Sequence, residues 1–383
     1  MNVLRTIETF LPYICGPANQ AFQISNRLEE MGIHSPVLTT YCDVPNSLPR
    51  RDTIDRVRVI RMRNQFQIMR YCVSLGMVKF LAAGGLKDFD IVHSHNYRNF
   101  QADCGFFFSK LKGKPFVLNA HGSLLGFKKY LAPGLHQVPY KIYDGLTLKM
   151  AARRADAVVV SSQFEYEDAV EFGIDRKKLH IIPMGIDIPE ETAPPGRPSG
   201  LPLRILFVGR LAWVRRVELL LQAAKELKIP YQISIVGGEE KTASLAKGGY
   251  MQELKNLAAE LGMADRVTFA GPKKPEELRS CYENADVFVY PSLYENFGQP
   301  ILEAASYGLP IVATKVGVAR ELVRDGETGF AVGDNPREIS DRLISLSDPA
   351  ARASMGRKIR ELSRKHFDWH NVIQRYIDIY RSF

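Results

Sequence analysis

The chain has 383 residues, 45% of them apolar and 24% charged, with a formal net charge of +9. Its length makes two sizeable cores the starting expectation, and its balance excludes a disordered, collagen-like or disulfide-framework chain. The charge is one-sided: residues 1–150 hold 19 Lys/Arg against 10 Asp/Glu, and residues 151–383 hold 32 of each. Cys15, Cys42, Cys72, Cys104 and Cys281 form no C-x-x-C pair and leave an odd one over, which fits a reducing, cytoplasmic compartment.

The longest stretch without Asp, Glu, Lys or Arg, Thr9 to Asn26, is broken by Pro12, Gly16, Pro17, Asn19 and Gln20 and is not a transmembrane helix. Glu8 ahead of a short apolar segment makes it a poor signal peptide as well. β-Branched runs then alternate with segments of period near 3.6: HSPVLTT, VRVIRM, DIVHSH, PFVLNAH, AVVVSS and LHIIPM. That alternation predicts parallel sheets with helices on both faces. Within it, Arg50, Arg51, Arg56, Arg58, Arg61, Arg63 and Arg70 form the densest basic run. It reads either as a solvated face or as one that meets anionic lipid head groups or a phosphorylated acceptor. Nucleic acid is not expected, since no stacking aromatic series or groove-reading motif accompanies the charge. From Pro189 to Pro202 the chain reads PEETAPPGRPSGLP, which forbids regular structure and marks a linker at 191–202 after a first domain at 1–190. RILFVGR, YQISIVGG, RVTFAG, DVFVYPS, PIVATK and TGFAV then predict a second domain over 203–365, with a last helix at 366–383 expected to return to the first. Ligands in such doubly wound domains bind at the carboxyl ends of the strands.

The most informative stretch is Val287 to Thr314, VFVYPSLYENFGQPILEAASYGLPIVAT: a strand, a loop with Glu295, and a short helix bounded by Pro300 and Gly308. The N–H groups of Phe297, Gly298 and Gln299 then lie at a helix N-terminus, where backbone donors and the dipole favour an anion such as a phosphate. Glycine at 298 lets a ligand come close. Glu295 stands before the helix and Glu303 is expected in its first turn, too far apart for a paired carboxylate site, so the two are expected to grip different parts of one long ligand. A carboxylate fork suits the vicinal hydroxyls of a sugar or a ribose. The bland alternative makes Glu295 a solvated loop residue and Glu303 a complement to the dipole.

This stretch resembles the E-x7-E signature of glycosyltransferase family 4, the retaining enzymes of the GT-B fold, α/β chains in which two doubly wound Rossmann-like domains face each other across a cleft. The likeness extends along nearly the whole chain. Gly16 sits at the family's N-terminal glycine loop, DIVHSH and NAHG resemble its next landmarks, and IPMGID resembles the segment before the linker. FVGRL, FAG, YPSLYENFGQPILEA, GLPIVAT and ETGF follow in the family's order. The resemblance implies a hexosyltransferase that moves a hexosyl group from a nucleotide diphosphate sugar to an acceptor hydroxyl, with no cofactor and no bound metal. It places Arg210 and Arg215 on the donor diphosphate, where guanidinium forks neutralise the leaving group. Glu295 would hold the donor sugar and Glu303 the ribose. The loop Asn296 to Gln299, through the backbone of Phe297, Gly298 and Gln299, would hold the sugar and β-phosphate, Gly16 the diphosphate, and His121 the transferred sugar near the acceptor. Together with the charge asymmetry, it points to a glycan or lipid-linked acceptor in cell-surface polysaccharide or glycolipid synthesis, at a cytoplasmic site or peripheral to the inner membrane face.

Some positions depart from the family pattern. Arg215 stands for a lysine and Arg216 for the glycine after it, so Arg216 is expected either to add a third cation or to face solvent. Pro17 follows Gly16 where a second glycine is usual and removes a backbone donor. Met184 replaces an asparagine and Val318 a glycine. Asp88 and Asp90 spell D-x-D, but Asp90 opens a strand instead of following one. His93 and His95 alternate on one strand face with no third ligand placed by sequence, which favours packing. IVGGE at 235–239 lacks the full dinucleotide-binding pattern. The competing classes are a nucleotide-sugar isomerase or hydrolase of the same fold, which needs more acid/base groups from the first domain, and a non-catalytic nucleotide-sugar-binding subunit.

Overall fold

The computed structural model describes residues 1–13, 15–68, 71–125, 142–190, 202–239 and 248–383. The linker expected at 191–202, all but Pro202, and Arg70 of the basic run lie outside them. By its internal contacts the chain divides into one unit of Met1–Met184 with Val372–Phe383 and a second of Gly185–Asn371.

The first unit carries β1 (Val3–Thr6), β2 (Val37–Thr40), β3 (Arg51–Ile54), β4 (Val57–Met62), β5 (Phe66–Ile68), β6 (Tyr71–Val73), β7 (Ile91–His95), β8 (Phe116–Asn119), β9 (Ala157–Val160) and β10 (Leu179–Ile181). Eight of these form one sheet in the order β10-β9-β8-β7-β1-β2-β4-β3, parallel throughout except for β3, which runs antiparallel to β4. β5 and β6 pair separately. Most of the parallel strands are buried on both faces, as helix-covered sheets require. Leu4, Val92, Leu118 and Val158 pack on one face with Phe106, Phe108 and Leu148. Ile7, Val37, Val57 and Val59 pack on the other with Ala18, Ala21 and Phe22 of the helix Gly16–Glu30. The central strand β1 has no counterpart among the predicted runs, because VLRT is short and carries a charged residue. Side-chain alternation puts Arg5 on the face shared with His93 and His95, opposite Leu4 and Val92. The helix Trp369–Arg381 covers those residues with Tyr376 and Tyr380, part of a buried stripe with Val372, Ile373 and Ile377.

The second unit has β11 (Leu203–Val208), β12 (Tyr231–Val236), β13 (Val267–Gly271), β14 (Val287–Tyr290), β15 (Ile311–Ala313) and β16 (Gly329–Ala331), parallel in the order β13-β12-β11-β14-β15-β16. Strand order reverses between β11 and β14, which are tied together by Asp286: its carboxylate accepts from the Arg204 amide at 2.9 Å and its guanidinium at 3.1 Å. Phe207 and Tyr290 stack there at 5.5 Å between ring centroids. Gly237 of IVGGE has φ +137°, and a Cβ on it would lie 1.8 Å from the Gly209 carbonyl oxygen, so the turn exists for the close approach of two strand ends. Helices start on side-chain caps where the sequence offers them: Asn99 accepts from the Ala102 amide at 2.7 Å and Ser162 from that of Glu165 at 3.3 Å. Among the described residues, no helix is long and apolar enough to cross a membrane.

Candidate functional site

In the second unit the expected residues gather at the carboxyl ends of β11 and β14, where the strand order reverses. Arg210 follows β11 and is exposed. Arg215 closes the 3-10 turn Trp213–Arg215 and is buried, with 7% of its surface exposed. Its Nη1 lies 2.9 Å from Oε2 of Glu295 and also donates to the Tyr294 carbonyl at 2.6 Å and to Ser292 Oγ at 3.1 Å. Two residues expected to serve different parts of the ligand are thus bonded to each other. Glu295 is further fixed by the Tyr290 hydroxyl, which donates to Oε2 at 2.8 Å, and by the Asn296 amide, which donates to Oε1 at 3.1 Å. Burial opposes the charge on Arg215, but Tyr290, Glu295 and Tyr294 outweigh it and raise its pKa. Its Nε is buried without a partner.

The helix after the loop is Gln299–Ser306. Gly298 caps it at φ +88°, a left-handed conformation, and a Cβ there would crowd Ile301 Cδ1 at 3.0 Å and Glu295 Cγ at 3.2 Å, so glycine is required by conformation and packing together. Glu303 is in the second turn, not the first: the helix begins one residue before Pro300 and has no acid in its first turn. Burial raises the Glu303 pKa, against the opposing hydrogen bonds from Tyr282 and Gln299, and the Tyr282 hydroxyl donates to its Oε2 at 2.7 Å. Arg216 neither adds a free cation nor simply faces solvent. It sits at φ +49°, the conformation for which the family's glycine is suited, and its side chain pairs with Asp334 at 2.7 Å and donates from Nε to the Pro291 carbonyl at 3.1 Å.

In the first unit Gly16 is the first residue of the helix Gly16–Glu30, with open space where a Cβ would stand. Pro17 falls in that helix's first turn, where a missing N–H breaks no helical bond, so the donor expected to be lost from a loop is instead absent from a helix start that tolerates it. His121 follows β8 at φ +52°. Its Nε2 lies 2.7 Å from His95 Nδ1, and the two rings stack at 5.0 Å. Burial first, then the charge of Arg5, lowers its pKa to about 3. The basic run is not one face: Arg51, Arg56, Arg58 and Arg63 are exposed, but Arg61 is 1% exposed. Its guanidinium bonds Asp52 at 3.0 Å, the Pro49 carbonyl at 3.1 Å and the Leu11 carbonyl at 2.9 Å. Asp90 accepts the Asn2 amide at 2.8 Å and serves to fix the start of the chain.

Sequence reasoning passes over Tyr282 and Tyr290, whose hydroxyls position Glu303 and Glu295, and over Ser292 and Tyr294, whose hydroxyl and backbone carbonyl respectively accept from Arg215. Tyr290 and Ser292 lie in the strand-like run DVFVYPS and Tyr282 on the helix Pro275–Glu283, positions that read as packing; only a buried hydroxyl's need for a partner could have marked them.

Two doubly wound α/β units with this site at a switch point define the fold class, and solved structures share it over the full chain. Sucrose-phosphate synthase from Thermosynechococcus elongatus superposes with a TM-score of 0.77 at 23% identity, covering 100% of this chain and 98% of that one. Anabaena HepE in complex with UDP and glucose superposes with a TM-score of 0.76 at 18% identity, covering 100% of both chains. The protein has the GT-B fold. Residues 14–190 match the family model for Glycosyltransferase Family 4, and residues 190–362 that for Glycosyl transferases group 1. The D-inositol 3-phosphate glycosyltransferase of Acidothermus cellulolyticus is 31% identical over 310 residues, spanning 77% of this chain and 67% of the relative. That of Corynebacterium urealyticum is 32% identical over 315 residues, spanning 77% and 72%. The chain belongs to glycosyltransferase family 4 and is a glycosyltransferase.

Proposed function

We propose that the protein moves a hexosyl group, with retention, from a nucleotide diphosphate sugar to an acceptor hydroxyl, without a resident metal. The observation that carries the reading is Arg215 locked on Glu295 at the strand-order reversal, with Arg210 following β11 at the same sheet edge. Glu295, gripped by Arg215, Tyr290 and its own chain, is a rigid acceptor for sugar hydroxyls. The guanidinium groups supply the positive charge that the departing diphosphate needs, together with the N-terminal dipole of the helix Gln299–Ser306. Glu303, beside Tyr282, is the acceptor for the ribose. His121 meets the transferred sugar, and Gly16, with open space at its Cα, lets the diphosphate approach the helix Gly16–Glu30.

The names of the relatives and the positive excess of residues 1–150 favour a phosphate-bearing acceptor. Incubating the purified protein with a panel of nucleotide sugars, with and without a phosphorylated cyclitol, tests this; nucleotide release that depends on the cyclitol is expected, and the anomeric configuration of the product reports retention. Full activity is expected after exhaustive chelation. Activity lost with EDTA and restored by Mn²⁺ or Mg²⁺ would overturn the metal-free reading.

A second reading, a lipid-linked glycan acceptor at an anionic membrane, is favoured by the β5–β6 pair. Phe66, Ile68 and nearby Leu75 are 56%, 58% and 55% exposed, with the exposed Arg63 and Lys79 close in sequence. Apolar side chains flanked by cations suit a lipid interface. Co-sedimentation with phosphatidylglycerol vesicles that fades with salt, and weakens in an Arg58→Gln/Arg63→Gln/Phe66→Ser variant, is the expected result. Arg61 is left out because it is buried.

A further inference from the structure

Behind His121 stands a ladder of buried polar groups to which no role has yet been given. Arg5, fully buried at the centre of the sheet, donates from Nε to Ser35 Oγ at 3.0 Å and from Nη2 to the Tyr380 hydroxyl at 3.0 Å. Its Nη1 lies 3.0 Å from His93 Nδ1 and 2.9 Å from His95 Nε2. Among the described residues it meets no carboxylate. His93 and His95 stack at 4.6 Å and are both fully buried; His121, next in the stack, is the ring of the three that reaches solvent.

Proton counting along this ladder gives one arrangement in which Arg5 donates to every group it meets; in it the Tyr380 hydroxyl, which accepts from Arg5, donates to His93 Nδ1 at 2.6 Å. A guanidinium only donates, so the nitrogens it meets, His93 Nδ1 and His95 Nε2, must both be acceptors without a proton. Neutral His95 then carries its proton on Nδ1, which faces His121 Nε2 at 2.7 Å. His121 Nε2 therefore accepts, and its own proton lies on Nδ1. The same logic puts the His93 proton on Nε2, which is buried without an acceptor. The arrangement thus leaves one buried donor unsatisfied, as expected where one hydrogen-bond direction is forced.

We propose that Arg5 and His95 are positioning residues that hold His121 as a neutral imidazole with its proton on Nδ1, presented as a donor to a hydroxyl of the transferred sugar. The inference rests on the place given to His121 under the proposed function. A neutral donor suits that place, because positive charge grows on a transferred sugar in its oxocarbenium-like transition state and an imidazolium beside it would oppose the reaction. Among the described residues, the groups facing the ladder supply no charge besides Arg5: β8 brings Asn119, and the last helix brings Tyr376 and Tyr380, whose pKa values burial raises, so both stay protonated. Glu165 acts on Tyr376 only through space. Burial and Arg5 both act to keep His121 uncharged.

The test is histidine ¹⁵N spectroscopy of the intact, ligand-free protein, whose eight histidines can be assigned with single His→Gln variants. The expected result is Nδ1–H for His95 and His121, Nε2–H for His93, and no titration of His121 between pH 7 and pH 5. An Nε2–H tautomer at His121, or titration near the ordinary histidine pKa of about 6.5, overturns the proposal. In the activity arm, the pH profile of kcat/KM should gain an acid limb near pH 6 in Arg5→Met and stay free of one in Arg5→Lys, which keeps a pure donor. A loss equal at every pH would mark Arg5 as structural only and overturn the proposal. If the tautomers are as expected but His121→Gln transfers sugar at the parent rate, the sugar-contacting place of His121 fails, and the purpose assigned to the ladder fails with it.

Discussion

In the second unit the site is held by full opposite charges: Arg215 is buried against Glu295 at 2.9 Å, with a tyrosine hydroxyl and a backbone amide completing the carboxylate. In the first unit His121 stands at the end of a row of neutral rings behind Arg5, an arginine with no carboxylate among the described residues. The same doubly wound architecture therefore supports opposite electrostatics. One sheet end fixes charges in place, and the other uses a buried charge to keep a titratable ring uncharged. The difference follows from what each can desolvate: a charge pair survives burial because each partner offsets the other, whereas a histidine beside a buried arginine loses its proton.

The largest expected effect breaks the charged side. Glu295→Gln should lower transfer by about a thousandfold, since an acceptor built for the transition state is lost, while free nucleoside diphosphate still binds within a few-fold in calorimetry because Arg215 remains. A matching loss of diphosphate affinity would put Glu295 on the phosphates instead.

The neutral side breaks with acid. His93, His95 and His121 are all shifted well below ordinary histidine in the fold, burial being the first cause in each. The unfolded chain takes up protons below about pH 6.5 where the folded one does not, so stability falls as the pH falls, by about 1.4 kcal/mol per pH unit for each histidine, down toward the folded value. The urea midpoint should drop steeply between pH 6.5 and pH 5. A constant midpoint would mean that these rings are not buried in neutral form.

A smaller contrast separates Arg210, expected on the diphosphate, from Arg216, expected as a third cation or a solvent-facing residue. Arg210→Ala should weaken diphosphate binding by about 1.5–3 kcal/mol, the value of a charge-assisted contact. Arg216→Gly should leave diphosphate affinity unchanged and move stability by less than about 1 kcal/mol, because relief of the left-handed backbone offsets a pair whose Asp334 partner is 72% exposed. A loss of diphosphate affinity there would restore Arg216 as a third cation.

By itself, the sequence determined the two α/β sheets and the loop from Glu295 to Gln299. Alternating β-branched runs and helical periods are local patterns, and proline and glycine mark the turns wherever they fall. The twelve strand-like runs all became strands for that reason. Only the tertiary structure decided which charged residues serve the site. Arg61 belongs to a basic run read as a surface face and Arg215 to a contact with the diphosphate, and nothing in the sequence singles out Arg5, yet each is buried among partners that the fold brings to it: Ser35, His95 and Tyr380 for Arg5, Leu11 and Asp52 for Arg61, Glu295 and Ser292 for Arg215. The same holds for His121, whose proton is placed by a residue on β1 acting through one on β7. Hydrophobic periodicity is written along the chain, whereas the desolvation and pairing of a charge depend on what the fold brings to it from elsewhere.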